Sequence, residues 1–163
     1  MPRTATSPPS VPPAIDLAPT GCTNLKLRQL TRRVTRRYDA EVAASGLKTT
    51  QYSLLSHVIA LGPVRPSDLA ARMRLEPSTL TRNLQPLIAA GLVEQRAGVD
   101  ARSRLVAATD AGRRKRGEAQ RGWKLAQGAL NDTLGAERIA RLHTLIDECL
   151  ALLGDDPEGA SDE

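Results

Sequence analysis

A chain of 163 residues has the length of one domain, and with no Phe, two Tyr and one Trp it must build its core from Leu, Ile, Val and Ala, which favours helices over sheets. The net charge of +5 is unevenly spread: residues 65–116 hold eleven Arg or Lys against five Asp or Glu, whereas residues 131–163 hold two against nine. A basic middle is the footprint of a polyanion partner, with a solvated charged surface as the competing reading.

In chain order, residues 1–19 carry six of the eleven prolines among Ser and Thr and read as a disordered arm. A first helix is predicted over 23–44, because Leu27, Leu30, Val34, Tyr38 and Val42 recur at three- and four-residue steps. Arg28, Arg32, Arg33, Arg36 and Arg37 fall largely off that face. A second helix is predicted near 50–61, burying Leu54, Leu55, Val58 and Ile59, and Gly62-Pro63 stops it. Two short helices follow, one starting at Arg65-Pro66 and one running from Pro77 to about Ala90, with each proline where a first helical turn tolerates it. Two short helices with a tight connection form a helix-turn-helix. Residues 92–96 and 104–108 then read as the strands of a hairpin with a charged tip, which after a helix-turn-helix is a wing. Long helices are predicted over 110–134 and 136–153. In the last, Ile139, Leu142, Ile146, Cys149 and Leu153 make a heptad-like seam suited to a partner helix, ordinary packing within the domain being the alternative. Residues 154–163 read as an acidic disordered tail.

The second helix of the pair carries the most specific chemistry. On a wheel of about 100° per residue, Leu80, Leu84, Leu87 and Ile88 share one side. Ser78, Arg82 and Gln85 take the opposite side, with Thr79 and Thr81 at its edges. Arg can grip a guanine edge in a bidentate way, Gln can read adenine, and hydroxyls hold phosphates or bases. A plain solvent face is the bland alternative. Pro86 inside this helix is expected to bend its end. On the wing, Arg102 and Arg104 suit a narrow minor groove, and Asp100 can orient them. The competing reading is a surface ion pair of little energetic weight.

Taken together, PSDLAARMRLEPSTLTR (66–82), PSTLTRNLQPLIAAGLVEQ (77–95), DARSR (100–104), LVAATDAGRR (105–114) and GLKTTQYSLL (46–55) resemble the MarR (multiple antibiotic resistance regulator) family, over about residues 23–153. The resemblance implies a mainly α fold with a small β-hairpin wing. The winged helix-turn-helix would cover about 48–109, and helices of about 23–44 and 110–153 would form a dimerisation region. It also implies a homodimer on a pseudo-palindromic double-stranded DNA operator, most often as a repressor released by a small-molecule effector. By the same likeness Ser78, Thr79, Thr81 and Arg82 fall on the recognition helix, and Asp100, Arg102 and Arg104 on the wing motif. The family's effector pocket lies between the first, second and fifth helices, near Tyr38, Tyr52, His57 and Trp123. Each of these four is also a natural core or surface residue, and the scarcity of aromatics argues against the aromatic-lined pocket of phenolic-acid sensors. Some members sense oxidants through a cysteine near the start of the first helix. Cys22 stands there and Cys149 lies in the presumed seam, so a redox-sensing regulator is an alternative to two incidental thiols.

Other classes find little support. There is no Gly-rich nucleotide loop and no His/Cys/acid cluster at ligand spacing, so no enzyme, cofactor or metal is expected. No apolar run spans a bilayer and no secretory pattern is present, which points to the cytoplasm. A winged-helix protein-interaction module is the different-class alternative, which the arginine wing disfavours.

Overall fold

A computed structural model describes residues 20–98 and 104–154. Helix α1 spans Thr23–Val42, a 3-10 turn covers Ala43–Ser45, and α2 spans Thr49–Leu61. The helix-turn-helix is α3 (Pro66–Met73) and α4 (Pro77–Ala89). Strands β1 (Val93–Ala97) and β2 (Arg104–Ala108) pair antiparallel, with Val93 opposite Ala108 and Ala97 opposite Arg104. Helices α5 (Asp110–Leu134) and α6 (Ala136–Leu153) follow. This is the mainly helical winged helix-turn-helix expected from the sequence.

Local chemistry sets the boundaries. Pro66 and Pro77 each stand in the first turn of their helix, where a missing N–H has no helical partner to lose. Between them Arg74 adopts the left-handed conformation (φ 50) that lets α3 stop and the chain turn within a few residues. The Thr109 hydroxyl accepts the Gly112 N–H (3.0 Å) and so caps α5. The same hydroxyl donates to the Gly91 carbonyl (2.7 Å), tying the start of α5 to the turn after α4. Helix α1 stops at Val42, short of the predicted Ala44. The Ser45 hydroxyl takes the Val42 carbonyl (2.7 Å) and the Gly46 N–H donates to the Ala43 carbonyl (2.8 Å), which tightens the last turn. Helix α4 continues through Pro86 to Ala89 as one helix, although Pro86 has no N–H to offer the Arg82 carbonyl.

One core joins these elements. Leu54, Leu55 and Val58 of α2, Leu69 of α3, and Leu80, Leu84 and Leu87 of α4 close on Val93 and Val106 of the hairpin and Ala119 of α5. Ile59 is only partly buried at its margin. The hairpin is also stitched to the segment before α3: Val64 and Val106 exchange two backbone hydrogen bonds (3.0 and 2.8 Å).

Helices α1 and α5 run antiparallel. Gly122 meets the Glu41 carbonyl, the Tyr38 hydroxyl donates to Gln127 Oε1 (2.5 Å), and Arg37 Nη1 donates to Thr133 Oγ1 (3.1 Å). Only the second half of α1 is therefore covered. Of its predicted apolar face, Tyr38 and Val42 are buried and Val34 is half-buried, whereas Leu27 and Leu30 are 54% and 37% exposed. Leu27 and Leu30 are not buried as the periodicity predicts, because the first half of α1 projects past the end of α5. Helix α6 has no buried residue, and Leu145, Ile146, Leu150, Leu152 and Leu153 are exposed.

Candidate nucleic-acid interface

Helix α4 presents two chemically opposite sides. Leu80, Leu84 and Leu87 are anchored in the core, while Ser78, Thr81, Arg82 and Gln85 are exposed and Thr79 is half-buried. Burial of the three leucines fixes the rotation of the helix about its axis, and that rotation aims the polar side outward. Two hydroxyls on this side are already engaged. Thr81 Oγ1 donates to the Pro77 carbonyl (2.9 Å), and Thr79 Oγ1 accepts from Arg82 Nη2 (3.4 Å). Thr79 thereby steadies a long arginine before any partner arrives, which lowers the side-chain entropy lost on binding.

The wing stands beside this helix through the shared core. Arg104 opens β2, is exposed, and donates from Nη1 to Gln95 Oε1 across the hairpin (3.2 Å). Arg96 and Glu94, both on β1, form an exposed ion pair and hydrogen bond. Asp100 and Arg102, the other wing candidates, lie outside the described residues. Helix α5 begins with Arg113, Arg114, Lys115 and Arg116 directly after β2. Lys115 pairs with Glu118 (2.7 Å) and holds that carboxyl below its usual range, and Arg116 bonds Gln120 (2.8 Å).

Sequence reasoning missed Lys48, Gln51 and Asn83. They gather with Arg82 and Pro86 around a cleft of about 270 Å³ between the start of α2 and the outer side of α4. The Lys48 N–H is held by Gln51 Oε1 (2.9 Å). The GLKTTQ segment carried the local signal, a polar helix start that the fold places beside the outer side of α4. Gln95 was also missed, because its importance arises only from strand register.

The aromatic candidates gather, except for His57. Trp123 packs against Tyr38 (centroids 6.3 Å apart) and Tyr52 (6.2 Å), and both tyrosines are buried. Burial pushes the Tyr38 phenol above its usual range. His57 is half-buried, and its Nδ1 meets the Ser53 carbonyl (2.8 Å). Cys22 precedes α1 and Cys149 sits on α6, both as exposed free thiols. Among the described residues no group of three or more His, Cys, Asp or Glu could hold a metal ion, and no helix is long and apolar enough to cross a membrane.

This arrangement matches proteins already known. A family model described as MarR family matches residues 45–103, which run from the end of the 3-10 turn after α1 to the wing. The transcriptional regulator MosR of M. tuberculosis, solved in complex with DNA, is 34% identical. That alignment covers 79% of this chain and 98% of MosR, with a TM-score of 0.64. A MarR variant from E. coli complexed with operator DNA is 20% identical over 78% of this chain and 92% of its own, and its TM-score of 0.73 shows the shared fold. An uncharacterised helix-turn-helix transcriptional regulator of Bacillus subtilis, YwoH, is 27% identical over 90 residues, spanning 55% of this chain and 66% of that relative, just under two thirds of its length. The two-sided α4, the hairpin pinned beside it and an alignment that spans nearly all of MosR lead to one assignment: the chain belongs to the MarR family of winged helix-turn-helix, DNA-binding transcription regulators.

Proposed function

We propose that the protein is a homodimeric repressor that grips a pseudo-palindromic operator and is released by a small-molecule effector. The observation that carries the DNA contact is the two-sided α4, with Leu80, Leu84 and Leu87 locked in the core and Ser78, Thr81, Arg82 and Gln85 turned outward. In this reading Arg82 and Gln85 meet base edges, and Ser78, Thr79 and Thr81 meet bases or phosphates. Arg104, joined by Arg102 and oriented by Asp100, enters the neighbouring minor groove. Lys48 adds a phosphate contact from the adjoining cleft.

The dimer reading rests on the apolar residues that α1 and α6 leave uncovered. Leu27 and Leu30 on one helix and Leu145, Ile146 and Leu150 on the other are exposed, and apolar side chains left uncovered on helices suit a partner surface. A two-fold axis through these helices would set two α4 helices about one DNA turn apart. An effector would act at Tyr38, Tyr52 and Trp123, where α1, α2 and α5 meet, because a change of packing there shifts the winged lobe against the dimer helices.

The test is binding to the DNA upstream of the protein's own gene, by gel shift at two salt concentrations, against random DNA of equal length. Tight, salt-sensitive and sequence-selective binding supports the reading. Weak binding indifferent to salt would favour a protein-interaction module instead.

A further inference from the structure

Helix α1 has two basic edges, and they have different neighbours. Between residues 26 and 37 it carries Lys26, Arg28, Arg32, Arg33, Arg36 and Arg37 with no acid among them, and all six are exposed. At about 100° per residue, Arg28, Arg32 and Arg36 form one row at four-residue steps, and Lys26, Arg33 and Arg37 fall on the other edge. The second edge is turned toward α5, where Arg37 Nη1 donates to Thr133 Oγ1 (3.1 Å). The row lies on the same side of α1 as Asp39, whose Oδ1 accepts the Thr49 N–H (2.8 Å) at the start of α2. Among the described residues Arg28, Arg32 and Arg36 make no hydrogen bond or ion pair.

The Asp39–Thr49 bond brings the row to the edge of the cleft beside α4. Lys48, the residue before Thr49, lines that cleft with Gln51, Arg82 and Asn83. Arg36 stands three residues before Asp39, about 4.5 Å of helix rise. From there the row runs through Arg32 to Arg28 over about 12 Å. It leads away from the wing, because α1 runs antiparallel to α5 and α5 starts at the wing root, where Gly112 meets the Leu92 carbonyl. The exposed cations Arg82, Lys48, Arg36, Arg32 and Arg28 therefore follow one another from the outer side of α4 along α1.

We propose that this row extends the DNA interface beyond the recognition helix and holds the phosphates of the duplex flanking a half-site, whatever its sequence. The proposal rests on the reading that α4 and the Lys48 cleft meet DNA. Its chemistry fits a duplex backbone. One strand offers a phosphate roughly every 3.4 Å of axis, so a row of about 12 Å runs beside roughly three or four of them. Guanidinium groups hold phosphate oxygens in a bidentate way. The row has no aromatic side chain on which single-stranded bases could stack. A duplex lying on the cleft reaches Arg36 first, and Arg32 and Arg28 in turn as the flanking duplex bends toward α1. The contributions of the three arginines fall in that order.

The experiment titrates a random-sequence duplex, long enough to run past both half-sites, over a salt series. Arg32→Gln combined with Arg36→Gln is expected to weaken binding roughly tenfold at low salt, and to make the slope of log affinity against log salt shallower by about one for each arginine that meets a phosphate. Arg36→Gln alone is expected to give the larger part of that loss, and Arg28→Gln alone the smallest. Arg32→Lys with Arg36→Lys, which keeps both charges, is expected to retain most of the affinity. Arg121→Gln with Lys124→Gln removes the same charge from an exposed part of α5 and is expected to leave the slope unchanged. A slope unaltered by the Arg32 and Arg36 substitutions overturns the proposal. So does an equal loss from the α5 pair, which would assign the effect to net charge rather than to contact. Selection of an operator over random sequence is a separate readout. A chain that selects an operator but shows no α1 effect keeps the operator reading and loses this one, and the converse result does the reverse.

Discussion

Gly122 of α5 lies against the Glu41 carbonyl at the end of α1 so closely that a Cβ at residue 122 would overlap that backbone. A second notch of the same kind sets Gly112 against the Leu92 carbonyl at the root of the wing. The two glycines therefore fix α5 against both α1 and the winged lobe. Alanine normally improves a helix interior, but here a backbone must move. Gly122→Ala is expected to lower stability by about 1–3 kcal/mol, the usual cost of overpacking. Gly117→Ala, in the same helix with nothing near its Cβ, is expected to raise it by about 0.5–1 kcal/mol. Paired thermal or urea denaturation curves check both signs.

Arg82 and Arg104 are exposed, and their hydrogen bonds among the described residues go to Thr79 and to Gln95. Truncating either is expected to leave the melting temperature nearly unchanged. Arg82→Ala should weaken operator binding by about 1–3 kcal/mol and relax selectivity at one base position. Arg104→Ala should weaken binding to many sequences alike and make the slope of log affinity against log salt shallower by about one. Titrations of both variants over a salt series separate the two roles.

The uncovered leucines of α6 give a different expectation. Ile146→Glu combined with Leu150→Glu puts two carboxylates into the proposed seam, where desolvation without a partner is costly. Light scattering should then report a monomer, and operator affinity should fall with it, while the helical signal of the winged lobe remains. A variant that stays dimeric would move the interface elsewhere.

Tyr38 supplies the pH expectation. Burial raises its phenol above the ordinary value of 10.0. The folded chain thus holds the proton where the unfolded chain has begun to lose it. The associated stability is intact below about pH 10 and is lost as pH rises through the raised value. Tyr38→Phe, which keeps the ring against Trp123 but removes the titrating group, should flatten the fall in stability above pH 10. Denaturation midpoints across alkaline pH measure it.

The helix-turn-helix and the strands of the hairpin were legible because they are written locally. Pro66 and Pro77 mark helix starts, Gly91 marks a stop, and Leu80, Leu84 and Leu87 repeat at helical spacing. The polar side of α4 followed from the same wheel. What was not legible depends on partners distant in sequence. Val64 gives no sign that it will bond Val106, nor Gln95 that it will hold Arg104. Leu27 and Leu30 share the periodicity of Tyr38 and Val42, yet α5 ends before reaching them. Periodicity identifies a face that wants cover; only tertiary structure says how far the cover extends.

The central claim is that two copies of α4 read two half-sites together. The most direct measurement is selection of bound duplexes from a random-sequence library, followed by sequencing of the enriched pool. An inverted repeat with half-sites centred about one helical turn, or about 10 base pairs, apart is expected, with loss of that enrichment in Arg82→Ala. Enrichment of a single unrepeated motif, or of none, would contradict it.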